Sequence, residues 1–195
     1  MAPILCAGVT TYKGIKETEV RPGEWIAISG VGGLGQLGIQ YAKAMGMHVA
    51  ALDVTEEKLA LARASGADVT VNAKEPDAAA QIVKQTGGGA HGALVTAVSP
   101  AAFAQAIGVV RRKGTVTLVG LPPGEFATPI FEVVLGRITI RGSIVGGRQD
   151  LTEAIAFAAE GKVRSHIHKM KLEDINEVFA NMKAGKIDGR MVMTF

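Results

Sequence analysis

Short apolar runs alternate along this chain with longer stretches in which apolar positions return every three or four residues. The runs "WIAIS" (25–29), "HVAALD" (48–53), "VTVN" (69–72), "ALVTAV" (93–98), "TVTLVG" (115–120) and "ITIRGSIV" (138–145) read as strands. They are continuously apolar rather than alternating, as strands are when helices cover both faces of their sheet. Helical periodicity fills the gaps over about 34–45, 55–66, 76–86 and 100–110. Thr55 suits an N-cap, Glu56 and Glu57 suit the positive end of the helix that follows, and Gly66 suits its stop. The order predicts an α/β fold, a doubly wound, mainly parallel sheet of six strands in three αβα layers. After residue 145 the rhythm changes: "RQDLTEAIAFAAEGK" reads as a helix, "IHKM" as a short strand, "LEDINEVFANMKAGK" as a helix and "GRMVMTF" as a last strand. Residues 1–24 carry helix and turn but no strand, and read as the end of something that begins earlier.

The stretch "SGVGGLG" places Gly30, Gly32 and Gly35 in the spacing G-x-G-x-x-G, directly after the first strand and opening the next helix. The first glycine permits a tight turn, the second lets the backbone approach a pyrophosphate, and the third lets helix and strand pack closely. The N–H groups of the helix N-terminus then face the phosphates, where the macrodipole also favours negative charge. Alone the motif is weak, because such turns also serve packing. The second strand strengthens it: Asp53 ends that strand 18 residues beyond Gly35, close to the roughly 20 expected for the acid that holds a ribose. A carboxylate there accepts hydrogen bonds from a ribose 2′-hydroxyl and repels a 2′-phosphate. The expected ligand is NAD rather than NADP.

Composition adds mainly exclusions. With 48% hydrophobic and 20% charged residues over 195 positions, the chain is globular in composition. No apolar run approaches the roughly 20 residues needed to cross a bilayer, and no signal-peptide pattern opens the chain. A net charge of +3 is scattered among acids, with no basic stripe, so nucleic-acid binding is a weak reading. The single cysteine, Cys6, rules out an internal disulfide framework and makes a reducing cytoplasm the natural expectation. His48, His91, His166 and His168 share no spacing with Cys6; the last two fall on one side of the expected "IHKM" strand and read as surface histidines.

The segments "LCAGVTTYKGIK", "VRPGEWIAISGVGGLGQLGIQYAKAMG", "ALDVTEEKLALARASGAD", "VGLPPG" and "IDGRMVMTF", in that order, resemble the zinc-dependent medium-chain alcohol dehydrogenases of bacterial and yeast type. The resemblance spans essentially the whole chain. It implies a Rossmann fold over 25–161, with 1–24 a connecting segment from an N-terminal catalytic domain and 162–195 a segment that returns to that domain. It implies NAD as cofactor, a small alcohol or aldehyde as substrate, and zinc in the full-length enzyme only. Cys6 matches the position of one of three zinc ligands; considered without the family, it reads as a packing residue. One cysteine cannot hold a catalytic zinc, which ordinarily takes three protein ligands. Turnover by the 195 residues alone is therefore expected to be absent or very low.

The same resemblance implies the cofactor contacts. Thr10 falls beside the nicotinamide ring, and Leu34, between Gly33 and Gly35, backs its far face. Lys58 reaches the adenosine ribose, although from sequence alone it reads nearly as well as an exposed lysine on an amphipathic helix. Thr96, Ala97 and Val98 line the adenosine side, while Val119, Gly120 and Leu121 border the nicotinamide end. Ser143 and Val145 offer backbone groups to the carboxamide. Arg190 matches an arginine on the pyrophosphate, a bidentate role that suits a guanidinium; without the family it reads equally well as a surface arginine. The strand at 138–145 is an open apolar edge, and the resemblance implies a homo-oligomer, dimer or tetramer, paired through it. Against this enzyme reading stands a second one, a stand-alone NAD-binding sensor module without chemistry, for which a cysteine in a ligand position would have no use.

Overall fold

The computed structural model describes residues 1–187 and 189–194. A short 3-10 turn leads into helix α1 (Ala7–Glu17), and then strands and helices alternate. They are β1 (Trp25–Ser29), α2 (Gly35–Ala44), β2 (His48–Asp53), α3 (Glu56–Ala64), β3 (Val69–Asn72), α4 (Ala78–Gln85), β4 (Ala90–Val95), α5 (Pro100–Val109), β5 (Val110–Leu118), α6 (Ile130–Gly136) and β6 (Thr139–Gly142). The chain continues through α7 (Arg148–Ala159), β7 (Ile167–Met170), α8 (Ile175–Lys183) and β8 (Arg190–Met193). The first six strands form one sheet in the order β3-β2-β1-β4-β5-β6, parallel throughout. β7 and β8 pair in parallel as a separate two-stranded sheet.

Successive strand residues point to opposite faces, and the two hydrophobic clusters divide accordingly. Ile26, Ile28, Val49 and Ala51 pack with Ile15 of α1, Leu37 and Tyr41 of α2 and Ala154 of α7. Ala27, Ala50, Leu52, Val71 and Val95 pack with Ile82 of α4 and Phe103 of α5. The architecture is therefore the three-layer αβα Rossmann sheet, and α1, from the strandless opening, belongs to its larger cluster.

Four boundaries depart most from the sequence reading. β5 covers Val110–Leu118 rather than 115–120, ending where the Val119 and Gly120 N–H groups both turn to the Val95 carbonyl. β4 covers Ala90–Val95 rather than 93–98, because the Thr96 and Ala97 N–H groups both turn to the Ser29 carbonyl (2.9 and 3.0 Å) and end the ladder. The edge strand expected over 138–145 is β6, only Thr139–Gly142; beyond it one further bond, Ser143 N–H to the Leu118 carbonyl, precedes the left-handed Val145 (φ +48°). A non-glycine residue in that region breaks an extended path. Finally, α6 had no counterpart in the reading. Elsewhere β2, β3 and β7 fall on the residues expected, and Thr55 caps α3 by accepting the Lys58 N–H at 3.5 Å. β8 agrees with the last predicted strand as far as Met193, while Phe195 lies outside the described residues.

A dinucleotide-shaped cleft at the carboxyl ends of the strands

In the sheet order, β1 has β2 on one side and β4 on the other, so the chain reverses direction of travel there. At such a switch point the loops leaving the strand ends part and leave a crevice. A cavity of about 530 Å³ occupies it, lined by the glycine loop, the end of β2, the 96–99 turn and the start of α5.

The glycines are there for separable reasons. Gly30 has φ +92°, and a Cβ on it would come within 2.7 Å of the Ala97 nitrogen. A Cβ on Gly35 would overlap the Gly30 carbonyl, so helix and strand meet there with no room for a side chain. A Cβ on Gly32 would meet nothing within 4 Å, although Gly32 lines the cavity. That position faces the open cavity rather than protein. Thr96 steadies the turn, its hydroxyl donating to the Gly30 carbonyl at 2.8 Å.

Asp53 is 6% exposed at the end of β2. One carboxylate oxygen accepts the Val31 N–H (2.6 Å) and the other accepts the Val54 N–H (2.7 Å). The acid therefore belongs to the same hydrogen-bonded unit as the glycine loop, and its side chain still borders the cavity. Lys58, from the first turn of α3, reaches to 3.8 Å of Asp53 Oδ1 and also lines the cavity.

Of the residues singled out from sequence, Gly30, Gly32, Gly33, Leu34, Asp53, Lys58, Thr96, Ala97 and Val98 come together around this cavity. Gly35 lies directly beneath it. Arg190 does not line the cavity but meets the loop from far along the chain: a Cβ built on Gly33 would come 2.5 Å from Arg190 Cδ and 3.1 Å from its Nη1. The remaining residues lie outside the cavity. Val119 and Gly120 both donate N–H groups to the Val95 carbonyl (3.0 and 2.9 Å), and a Cβ on Gly120 would overlap the Ala97 carbonyl. Leu121 is 84% exposed, Ser143 is half-buried and Val145 is exposed. Thr10 is buried in α1 with its hydroxyl on the Cys6 carbonyl at 2.7 Å.

Cys6 is exposed at the N-terminus of α1. Among the described residues no three His, Cys, Asp or Glu side chains gather as a metal site. The residues do fit a dinucleotide: an open cradle at Gly32, a buried carboxylate at the ribose distance in sequence, and apolar walls. Sequence reasoning missed several lining residues, among them Ala101, Ala102 and Gln105 of α5. No motif marks them; only the packing of α5 beside β4 brings them there. Among the described residues, no helix is long and apolar enough to cross a membrane.

Residues 33–160 match the family model of the zinc-binding dehydrogenases. The chain is 62% identical over 192 residues to an alcohol dehydrogenase of Rhizobium meliloti (strain 1021), covering 98% of this chain and 56% of that one. It is 56% identical over 192 residues to an alcohol dehydrogenase of Geobacillus stearothermophilus, covering 98% of this chain and 57% of that one. The chain thus spans little more than half the length of the curated relatives it matches. Among solved structures, the alcohol dehydrogenase of the archaeon Aeropyrum pernix superposes with a TM-score of 0.90 at 36% identity, covering 97% of this chain and 56% of that one. Acetophenone reductase from Geotrichum candidum, solved in complex with NAD, superposes with a TM-score of 0.88 at 28% identity, covering all of this chain and 55% of that one.

Proposed function

The chain belongs to the zinc-binding dehydrogenase family, and from that premise we propose that it is the NAD(H)-binding part of an alcohol dehydrogenase. The observation that carries the reading is the pairing of Gly32, open to the cavity, with Asp53, buried and bonded to the Val31 N–H. The loop amides and the N-terminus of α2 hold the pyrophosphate. Asp53 accepts the ribose hydroxyls and disfavours a 2′-phosphate, with Lys58 beside it. Thr96, Ala97 and Val98 flank the adenosine, and Arg190 supplies positive charge over Gly33. Leu34, Thr10, Val119, Gly120, Leu121, Ser143 and Val145 border the nicotinamide end.

When bound, NAD supplies the hydride acceptor for oxidation of a small alcohol to an aldehyde or ketone. The chain's own share of that reaction is to hold and orient the cofactor. Residues 25–161 form the binding unit in this proposal, while 1–24 and 162–195 join it to a catalytic domain in which Cys6 is one of three zinc ligands.

We also propose that copies associate through the β6 edge, as a dimer or tetramer. In the segments that flank β6 along the chain, Ile130 and Phe131 of α6 and Ile144 are 80%, 77% and 82% exposed. Large apolar side chains left this exposed support an interface there. Light scattering at high concentration is expected to give at least a dimer, and a monomer would overturn that part.

Calorimetric titration with NADH and with NADPH tests the central claim. NADH is expected to bind at least about tenfold more tightly, from repulsion of the 2′-phosphate by Asp53. Absence of binding by either, or preference for NADPH, would overturn it.

A further inference from the structure

The β7–β8 sheet has only two strands, and such a sheet is marginal on its own in water. Something must hold it where Arg190 meets the glycine loop. A core anchor and two side chains of α2 do so. Val163, 2% exposed, belongs to the core cluster that also holds Leu37 and Tyr41 of α2. The next residue, Arg164, lies outside any strand, yet both of its backbone polar groups are taken by one side chain: Gln40 Nε2 donates to its carbonyl (2.9 Å) and Gln40 Oε1 accepts its N–H (2.8 Å). A primary amide carries a donor and an acceptor side by side, so Gln40 substitutes for a neighbouring strand. One turn earlier, Gln36 Oε1 accepts the His166 N–H at 3.4 Å.

From this fixed segment the position passes to β8. The His166 carbonyl accepts the Arg190 N–H at 2.9 Å, and the parallel ladder starts at once with Ile167 opposite Arg190. Gly189, just before it, fits because a Cβ there would come 2.5 Å from the His166 carbonyl oxygen. The helix that carries Gln40 in its middle carries Gly33 just before its first turn. Arg190 is thereby held to the same rigid body as the loop it meets.

We infer that Gln40 is a positioning residue for cofactor binding, docking the Arg164 backbone on α2 and so setting Arg190 beside Gly33. The inference rests on the dinucleotide reading above. Gln40 itself lies six residues past Leu34, about 9 Å along the helix, and takes no part in the cavity lining. Its effect on a ligand is exerted through the guanidinium.

The test uses the chain and its Gln40→Met, Gln40→Glu, Arg190→Met and Gln40→Met/Arg190→Met variants, titrated with NADH, ADP and adenosine. Methionine keeps the length and bulk of glutamine without its hydrogen bonds. Arg190→Met is expected to weaken NADH and ADP by about tenfold or more, a charge-assisted contact being lost. Gln40→Met is expected to weaken both by about fivefold and to leave adenosine unchanged. Gln40→Glu, which keeps the acceptor for the Arg164 N–H, is expected to fall between it and the unmodified chain. The double variant is expected to be no weaker than Arg190→Met alone, because the amide works through the arginine. Hydrogen exchange at the Arg164 and Arg190 amides is expected to rise in Gln40→Met while β1 and β2 stay protected. Unchanged NADH affinity in Gln40→Met, an equal loss for adenosine, or a multiplicative loss in the double variant would overturn the inference and leave the functional reading intact. Failure of the unmodified chain to bind NADH would overturn both.

Discussion

The glycine-loop end of the cleft and the α1–α7 end of the molecule, outside the cavity, are held by different kinds of bond. At the glycine-loop end the ties are short and sheltered: Val31 N–H to Asp53, the Thr96 hydroxyl to the Gly30 carbonyl, and the Thr96 and Ala97 amides to the Ser29 carbonyl. At the other end, Leu121 and Ile144 stand in solvent and the chain runs on from β6 to α7. The start of α7 is tied to α1 by ion pairs, Lys16 to the buried Asp150 (2.9 Å) and to the more exposed Glu153 (2.8 Å), with the Tyr12 hydroxyl on Glu153 at 2.6 Å. Buried bonds between backbone and carboxylate are insulated from salt and hold one geometry. Ion pairs that reach solvent are screened by salt, and their carboxylates titrate. The first end is therefore held by bonds to backbone, the second by titratable groups beside exposed apolar side chains.

Substitutions separate these ends, from the largest expected effect to the smallest. Gly35→Ala forces a methyl into the Gly30 carbonyl; a loss of about 3 kcal/mol is expected, with a melting temperature lower by roughly 10 °C and NADH binding lost. Asp53→Ala leaves the buried Val31 N–H without its acceptor. It is expected to cost about 2 kcal/mol by chemical denaturation and to weaken NADH by about tenfold or more. Gly32→Ala sharpens the contrast: with open space around its Cβ, the melting temperature is expected to stay within about 2 °C while NADH weakens by about tenfold. If Gly32→Ala unfolds the chain, the loop serves packing rather than a ligand.

The last prediction concerns the second end and its pH dependence. Hydrogen bonds from Lys16, then from Tyr12 and Gln149, hold the Glu153 carboxyl down at about 2, and Lys16 likewise lowers Asp150. Tyr12 answers in the opposite sense, raised to about 12 by burial and by its bond to Glu153. Because the folded-state carboxyl pKa is depressed, its stabilising share is full above the ordinary carboxylate range and is lost as the pH falls toward 2. Glu153→Gln is expected to flatten the loss of stability between about pH 4.5 and pH 2. NADPH and NADH preference at pH 7 is expected not to change, and a changed preference would show that the two ends are coupled.

Much of the frame was legible because it is local. The apolar runs at 48–53 and 69–72 are the strands themselves, and the glycine spacing marks the loop after β1. β4 was displaced because its first half contains His91 and Gly92, which interrupt the apolar run that marks a strand. α6 was hidden because only seven helical residues follow a stretch rich in proline and glycine, leaving two turns of periodicity to detect. Arg190 beside Gly33 could be expected only by resemblance, since 157 residues separate them and no spacing encodes the contact. The amide pairing of Gln40 with Arg164 had no sequence signal at all: glutamine in a helix is ordinary, and its partner is a main chain.

The order of the sheet also dictates a sequence of events as the chain first becomes compact. β1 can close one flank against β2 within some twenty residues, as Ile26 pairs with Val49, but its other flank stays bare until Gly92 arrives. α1 waits longer, since its ties to Asp150 and Glu153 join residues 134 and 137 positions apart. Until Gly92 arrives, one flank of β1, buried at four of its five positions in the finished molecule, is an unpaired apolar edge. The vulnerable moment for misassembly therefore falls between synthesis of β2 and of β4, at a strand that is paired on both flanks once folding is complete.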